Sequence, residues 1–191
     1  WGYLAVCPTN VGTGIRFSVM VHLPALRIAN ELGKVRRAAK ELHLAVRGYY
    51  GEGSESTGNI YQVSNQVTLG RSEEDLLEEF ATRIIPGLID YERSAREVLV
   101  KSNPTLLDDR VHRADSVLRS ARLLKLDESM KLLSRVRLGA SLGRLDVPLE
   151  AIDQLFVQVQ PAHLSQEAGT TLTENDVRSL RASLVRETLN A

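Results

Sequence analysis

Alternation of period two runs through Ile15-Arg16-Phe17-Ser18-Val19-Met20-Val21-His22, where every second residue is Ile, Phe or Val. Such a pattern predicts a β-strand with one face toward a core. Short apolar runs and turn signals predict further strands at 3–7, 44–50 and 59–66. Pro24 and the apolar residues after it, at helical spacing, predict a helix to about residue 39. The first 70 residues are therefore rich in strands.

After Gly70 the pattern becomes helical. Ser72-Glu73-Glu74-Asp75 has the form of a capping box and predicts a long helix to about Lys101, with a bend at Pro86. Further helices are predicted at 104–125, 127–138, 148–159 and 173–189. Strands followed by helices indicate an α+β fold, an antiparallel sheet flanked by helices and then a helical C-terminal region. We expect domains at 1–101 and 102–191, with an internal hinge at 139–146.

Composition excludes several classes of function. The chain has 24 Lys+Arg and 24 Asp+Glu among 191 residues, so net charge offers no attraction to nucleic acid or anionic membrane. One cysteine cannot form an internal disulfide, which indicates a reducing cytoplasm. No apolar run approaches the roughly 20 residues of a membrane span. Because the sequence begins at Trp1, next to the strand predicted at 3–7, and no Met precedes it, we expect a piece of a longer protein.

A glycine turn, Cys7-Pro8-Thr9-Asn10-Val11-Gly12-Thr13-Gly14, directly precedes Ile15 and Arg16. Glycines let a backbone approach a ligand closely, and arginine offers a fork of donors to phosphate or carboxylate. A thiol beside this positive charge is favoured as a thiolate. Cys7 is therefore a candidate reactive residue, and the alternative is a small buried hydrophobe at a strand end.

A second arginine, Arg47, lies beside Gly48 on the third predicted strand. Each arginine alone is typical of a surface residue in a weak ion pair. Two arginines on strands that we expect to be adjacent, each near glycine, match what nucleotide phosphates require during phosphoryl transfer. The loop at 51–58 carries Glu52 and Glu55, which without further signals are solvated charges.

The cysteine turn resembles the Cys-Pro-Thr-Asn-x-Gly-Thr signature of the ATP:guanidino phosphotransferases, the phosphagen kinase family. That resemblance implies a glutamine synthetase/guanidino kinase-like catalytic domain, here partial, with ATP and Mg²⁺. Arg16-Phe17-Ser18-Val19 is similar to the family's Arg-Ala-Ser-Val, and Val46-Arg47-Gly48-Tyr49-Tyr50-Gly51-Glu52 to its Val-Arg-Gly-x-x-Gly-Glu. Arg16 and Arg47 would contact ATP phosphates, with Ser18 and Met20 at the nucleotide.

The same resemblance assigns the guanidino side of the site. Glu52 would orient the guanidinium and help to take its proton, because a charged guanidinium is a poor nucleophile. Cys7 would hold its thiolate against the guanidinium. Thr9 and Asn10 would shape the turn and bond substrate or backbone, and Glu55 is a further candidate on the loop. No metal site is predicted within the protein, since neither His22 nor His43 has metal-ligand spacing to another His or Cys.

Within that family the chain resembles the bacterial protein arginine kinases of the McsB type. Small-molecule kinases carry His where Met20 stands and a basic residue where Tyr50 stands. The remaining similar segments are Ser64-Asn65-Gln66-Val67-Thr68-Leu69-Gly70, Arg135-Val136-Arg137-Leu138-Gly139, Leu142-Gly143 and Gln160-Pro161-Ala162-His163-Leu164. The resemblance implies protein substrates with exposed arginine, among them a heat-shock repressor, which are marked for a Clp-type protease. It also implies a zinc-binding activator and a homodimer.

The C-terminal region contains a possible second site. The family's Arg-Asp-x-x-Arg-Ala element binds phosphoarginine, and Arg181-Ala182 matches its end. Arg178 and Arg181 share a helix face at i, i+3, and with Asp176 they would form an anion pocket. The alternative is a solvated helix face. This region is thus predicted to bind phosphoarginine or to support dimerisation.

Two other functions stay open from the sequence. One is a non-catalytic phosphoarginine-binding or assembly module, which the altered C-terminal element favours and the preserved cysteine turn disfavours. The other is a small-guanidino kinase, which Met20, Tyr50 and the helical tail disfavour. The resemblance places further phosphate-binding arginines and a second carboxylate upstream, so we expect residues 1–191 alone to bind ATP weakly and transfer little phosphate.

Overall fold

A computed structural model of the chain describes residues 11–49, 57–169 and 172–190. The chain divides into two compact units, Trp1–Ser102 and Asn103–Ala191. The first unit contains an antiparallel sheet with helices, and the second is helical in its described residues. The predicted α+β fold is therefore confirmed.

Three strands form the sheet in the described part of the first unit. They are β1 (Ser18–His22), β2 (Leu44–Gly48) and β3 (Ile60–Asn65), in the order β1-β3-β2 and antiparallel throughout. These strands fall inside the three later predicted ones, with shorter ends. The strand predicted at 3–7 lies outside the described residues. The predicted adjacency of the two arginine strands is wrong, because β3 lies between β1 and β2.

One face of this sheet builds the hydrophobic core of the first unit. Val63 of β3 is 2% exposed and belongs to a cluster with Leu44 and Phe80. Val19 of β1 and Val46 of β2 pack against the same cluster. The alternation of each strand thus directs these valines to the helices and the residues between them to the opposite face.

Helices cover that apolar face. The helix predicted after Pro24 is two helices, α1 (Pro24–Ile28) and α2 (Leu32–Glu41), because Asn30 adopts a left-handed φ of 59° between them. A buried carboxylate, Glu92, accepts hydrogen bonds from the amides of Ala25 and Leu26 in the first turn of α1. These bonds satisfy helix amides that have no partner within the helix.

The long helix predicted after Gly70 is present as three consecutive helical segments. These are α3 (Glu73–Glu79), a π-helical turn (Phe80–Ile84) and α4 (Ile85–Ser102). The predicted capping box is confirmed, since Ser72 and Asp75 each accept a hydrogen bond from the other's backbone amide. The predicted irregularity at Pro86 takes the form of the π turn just before it, where the hydrogen-bonding pattern adjusts ahead of a proline that lacks an amide hydrogen.

The described part of the second unit holds α5 (Pro104–Ser120), α6 (Leu126–Ser141), α7 (Leu149–Gln158), α8 (Pro161–Ala168) and α9 (Glu174–Asn190). Helix α8 has no counterpart among the predicted helices, although Pro161 at its start and a left-handed Gly169 after its end are ordinary helix signals. The predicted hinge at 139–146 begins at Gly139, but this residue lies inside α6. A Cβ there would meet Val111 Cγ1 at 2.2 Å, so the glycine permits close packing of α5 on α6.

No helix in the described parts of either unit is long and apolar enough to cross a membrane.

Candidate active site

The face of the sheet opposite the helices carries the predicted nucleotide residues. Met20 of β1 and Arg47 of β2 both lie opposite Gln62 on the central strand β3. Residues in register across an antiparallel sheet share a face, and neighbouring strands lie about 4.8 Å apart, so the Met20 and Arg47 backbones are about 10 Å apart. Ser18 lies one step along the same face, opposite Ser64. The row Met20–Gln62–Arg47 therefore forms the floor of a candidate nucleotide site.

Arg16 lies at the edge of this floor, two residues before β1. Its neighbour Phe17 turns to the helix side, where its ring lies 6.5 Å from the ring of Phe80 in the π turn. Arg16 and Ser18, on either side of Phe17, are both exposed. The packing of Phe17 thus leaves the Arg16 guanidinium on the solvent side of the sheet.

Backbone hydrogen bonds to a buried asparagine flank Arg16 on both sides. The Asn65 side chain accepts from the Phe17 amide at 2.8 Å and donates to the Ile15 carbonyl oxygen at 3.0 Å. Asn65 is only 5% exposed, and its own amide donates to the Phe17 carbonyl oxygen at 3.3 Å. In the sequence, Asn65 stands within the similar segment 64–70, and no motif there assigns it a role.

The glycine turn rests on the chain just after β3. The Thr68 hydroxyl donates to the Val11 carbonyl oxygen at 2.7 Å, and Gly12 forms an isolated parallel bridge with Thr68. Gly12 has a φ of 99°, and a Cβ at this position would lie 2.3 Å from the Thr68 carbonyl oxygen. Only glycine fits this close approach. The sequence predicts that this glycine lets the backbone approach a ligand closely. In the structure, the close approach at Gly12 is to the backbone of Thr68.

Arg47 lies near the end of β2, where the chain leaves the sheet. It lies second to last in β2, between Val46, which packs toward the helices, and Gly48, which is buried and opposite the buried Tyr61. The chain leaves the sheet after Gly48 and returns through a 3₁₀ turn at Thr57–Asn59 into β3. The connection that contains the predicted substrate loop therefore starts and ends beside Arg47.

The remaining candidates of this site lie outside the described residues. They are Cys7, Thr9, Asn10, Glu52 and Glu55. Their roles stay predictions. Tyr50, which stands where small-molecule kinases carry a basic residue, also lies outside the described residues. Four candidates with described positions, Arg16, Ser18, Met20 and Arg47, are brought to one face.

In the second unit, Arg181 has a different environment from the other candidates. It is 2% exposed on α9 and donates to the carbonyl oxygens of Val159 at 2.8 Å and Leu124 at 2.9 Å. These bonds tie three segments of the unit together. They satisfy carbonyl groups near the end of α7 and before α6 that burial would otherwise leave costly.

Arg178 and Asp176 lie nearer to solvent, at the start of α9. Arg178 forms an ion pair with Glu174 one turn earlier. Asp176 accepts from the Thr173 amide at 3.0 Å and its hydroxyl at 2.6 Å, which lowers the pKa of the Asp176 carboxyl. Asp176 thus completes a capping box with Thr173. The three residues share one helix, and their role in binding phosphoarginine stays a prediction.

The described residues contain no group of three or more His, Cys, Asp or Glu side chains that could hold a metal ion. His43 is exposed in a turn with a φ of 52°, and His22 lies at the end of β1.

Two family models match consecutive parts of the chain. Residues 1–95 match the C-terminal catalytic domain of ATP:guanido phosphotransferase, and residues 104–191 match the C-terminal domain of the protein-arginine kinase McsB. The first match contains the entire sheet with Arg16 and Arg47. The second contains helices α5 to α9.

Curated relatives agree with these models. The protein-arginine kinase of Bacillus subtilis is 45% identical over 190 residues, which is 99% of this chain and 52% of the relative. That of Moorella thermoacetica is 49% identical over 191 residues, 98% of this chain and 54% of the relative. That of Halothermothrix orenii is 44% identical over 191 residues, all of this chain and 54% of the relative.

The chain spans about half the length of the curated relatives it matches. Both matched models and these relatives point to the same group of enzymes that the cysteine turn and the two arginine motifs resemble. The chain therefore belongs to the ATP:guanidino phosphotransferase family, in its protein-arginine kinase branch.

Proposed function

We propose that this chain forms part of an enzyme that transfers the γ-phosphate of ATP to arginine side chains of proteins. The observation that carries the proposal is that Arg16 and Arg47 lie on the same side of one sheet, opposite the helices, with β3 between them. Fixed cations neutralise the charge that spreads over the phosphate oxygens in the transition state. The names of the relatives, all protein-arginine kinases, support the choice of acceptor.

The reaction needs one new bond and one broken bond. A guanidino nitrogen of the substrate arginine attacks the γ-phosphorus, a P–N bond forms, and the P–O bond to ADP breaks. The nitrogen loses a proton in the same process, and the family motif assigns that proton to Glu52. Arg16 and Arg47 would hold the phosphates of MgATP, Ser18 and Met20 would line the nucleotide, and Cys7 would face the guanidinium.

Further properties follow from the family resemblance and remain proposals. They are a cytoplasmic location, a homodimer, marking of substrates for a Clp-type protease, a heat-shock repressor as substrate and a zinc-binding activator. A protein acceptor, rather than free arginine, is the property that separates this proposal from a small-guanidino kinase.

The test uses the protein at its full natural length with MgATP and an arginine-rich protein. Mass spectrometry under non-acidic conditions detects phosphoarginine, since the P–N bond is acid-labile. We expect Arg16→Ala and Arg47→Ala each to lower kcat/KM by about 10- to 100-fold, as expected for one charged hydrogen-bonding group. Glu52→Gln should abolish the product, and Cys7→Ala should reduce it.

The matched control is Arg36→Ala, which removes an exposed arginine of α2 outside the candidate site. It should leave kcat/KM unchanged. A folded protein that makes no phosphoarginine on protein would contradict the proposal, and one that modifies only free arginine would favour the small-guanidino kinase. If Arg36→Ala were as damaging as Arg16→Ala, the sheet face would have no special role.

A further inference from the structure

We propose that Asn65 is a positioning residue of the nucleotide site, which holds the Arg16 backbone in place through two side-chain hydrogen bonds. The inference rests on the proposed phosphate role of Arg16. No motif or comparison assigns a role to Asn65, and its position 49 residues after Arg16 conceals the contact in the sequence.

The geometry points to Arg16 specifically. The Asn65 carboxamide contacts the residue before Arg16 and the residue after it, at 3.0 Å and 2.8 Å, so it spans Arg16 on the backbone. A carboxamide is required, because one contact needs an acceptor and the other needs a donor. Aspartate keeps only the acceptor and leucine keeps neither.

The surroundings explain why this segment needs a clamp. Gly12 and Gly14 both have left-handed φ values, 99° and 67°, in the turn before Arg16. Glycines leave a chain many alternative conformations. Arg16 itself lies before the first paired residue of β1, Ser18. Asn65 and Thr68 therefore supply the contacts that turn a permissive segment into a fixed one.

A fixed arginine matters for phosphoryl transfer. Electrostatic stabilisation is strongest when the donor is already oriented before the reaction, since no energy is then spent on reorganisation. Loss of one or two neutral hydrogen bonds lowers the equilibrium constant that favours the fixed backbone conformation over its alternatives by about five- to tenfold. Removing the Asn65 carboxamide should therefore weaken nucleotide binding through Arg16, although Asn65 itself does not contact the nucleotide in this proposal.

The test is Asn65→Leu in the full-length protein, with two readouts. Hydrogen exchange followed by mass spectrometry reports the Phe17 amide, and steady-state kinetics reports KM for ATP and kcat on a protein substrate. We expect exchange at Phe17 to be about tenfold faster and KM for ATP about five- to tenfold higher, with a smaller change in kcat. Asn65→Asp, which keeps the bond from the Phe17 amide, should be intermediate in both and remains informative if Asn65→Leu does not fold.

The matched control is Gln66→Leu, the same type of substitution at the next residue, which is exposed. It should leave both readouts unchanged. Faster exchange with an unchanged KM for ATP in Asn65→Leu would overturn the positioning role, and so would unchanged exchange. Arg16→Ala separates the two possible failures. A normal KM in Arg16→Ala contradicts the phosphate role itself, whereas a raised KM there with a normal KM in Asn65→Leu contradicts only the positioning.

Discussion

Arg181 lies buried on α9, where its guanidinium donates to the carbonyl oxygens of Val159 and Leu124. Arg178, one turn earlier, forms an ion pair one turn back along its own helix, with a Glu174 side chain that is 79% exposed. Their i, i+3 spacing predicts that both arginines lie on one helix face. Burial makes them different, because a lost bond inside a protein is not replaced by water.

The first prediction compares these two arginines. Arg181→Ala should lower the free energy of unfolding by about 3 kcal/mol, since it leaves two buried carbonyl groups without donors. Arg178→Ala should cost about 0.5 kcal/mol, the usual value of an exposed helical ion pair. Urea unfolding of both variants checks this, and equal costs would contradict it. Titration of Arg178→Ala with phosphoarginine tests the separate prediction of a pocket.

The second prediction concerns two glycines with left-handed φ. Gly12 faces the Thr68 backbone, whereas a Cβ at Gly70, with a φ of 74°, meets nothing within 4 Å. Gly70→Ala should cost about 1 kcal/mol of unfolding free energy from backbone strain alone. Gly12→Ala should cost about 3 kcal/mol, because the clash adds to the strain, and it should raise KM for ATP.

Urea unfolding and steady-state kinetics of Gly12→Ala and Gly70→Ala test this prediction. An equal loss of stability would show that strain alone matters at Gly12. An unchanged KM for ATP in Gly12→Ala would separate the turn from the nucleotide site.

At the scale of elements, the starts of α3 and α9 follow one rule. Each helix begins with a hydroxyl residue, Ser72 or Thr173, that exchanges hydrogen bonds with an aspartate three residues later. The hydrogen bonds that each carboxylate accepts, from the side chain and the backbone amide of Ser72 or Thr173, lower the pKa of Asp75 and of Asp176. The ordinary pKa of each is 3.8.

The third prediction is the pH dependence of the α9 cap. A lowered folded-state pKa means that the charged carboxylate stabilises the fold above about pH 4, and that this stability is lost as pH falls through the lowered pKa. Asp176→Asn should therefore be less stable than the parent at pH 7, and the difference should vanish in acid. Urea unfolding from pH 7 to pH 2 measures it, and a difference that persists at pH 2 would exclude the charge as its cause.

The fourth prediction uses an apolar cavity of about 380 Å³ between α2, the sheet and α4. Gly87 of α4 lines it, and a Cβ at Gly87 meets nothing within 4 Å. Gly33 of α2 is equally open but does not line the cavity, so it is the matched control. Gly87→Leu should stabilise the fold by about 1 kcal/mol more than Gly33→Leu, because its side chain covers apolar surface in addition to improving helix propensity.

Thermal or urea unfolding of the two leucine variants gives the comparison. Equal gains would mean that only helix propensity changed. A loss at Gly87 alone would mean that another part of the full-length protein already fills the cavity.

At the scale of the whole molecule, the described chain carries one face of the proposed nucleotide site. It spans about half the length of its relatives. In the described residues, Arg16 is exposed and Arg47 is half-buried, both on the side of a three-stranded sheet opposite the helices. By the family resemblance, further phosphate-binding arginines belong upstream.

The fifth prediction follows for residues 1–191 alone. They should bind MgATP at least tenfold more weakly than the full-length protein, since each missing charged contact contributes about 1.5–3 kcal/mol. They should also transfer little phosphate. Fluorescent-nucleotide titration and a radioactive ATP assay check both statements. Robust turnover by residues 1–191 would show that the site is complete within them.

Local patterns predicted much of this fold. Alternation predicted β1, and apolar runs between turn signals predicted β2 and β3, all within a few residues, and the capping box at Ser72 marked the start of α3. The break at Asn30 and helix α8 were missed, because a left-handed asparagine and a short helix leave little periodic signal. The predicted strand order was wrong, because β3, which follows β1 and β2 in the sequence, lies between them and pairs with both.

The candidate site shows the same division. Arg16 and Arg47 could be chosen as candidates because each lies in a local motif near glycine. Asn65 and Thr68 were not, because their contacts join residues 48 to 57 positions apart. No pattern within a window of a few residues reports such a contact.

Residue types and their spacing were sufficient for the α+β class, for the starts of most helices and for the choice of two arginines as candidates for phosphate binding. Those properties depend on the backbone and side chains of near neighbours. The tertiary structure alone decided that Gln62 separates the arginine strands, that Asn65 spans Arg16, and that Arg181 is buried while Arg178 is not. Each of these depends on which distant segments pack together, and packing removes water from some polar groups while leaving it on others.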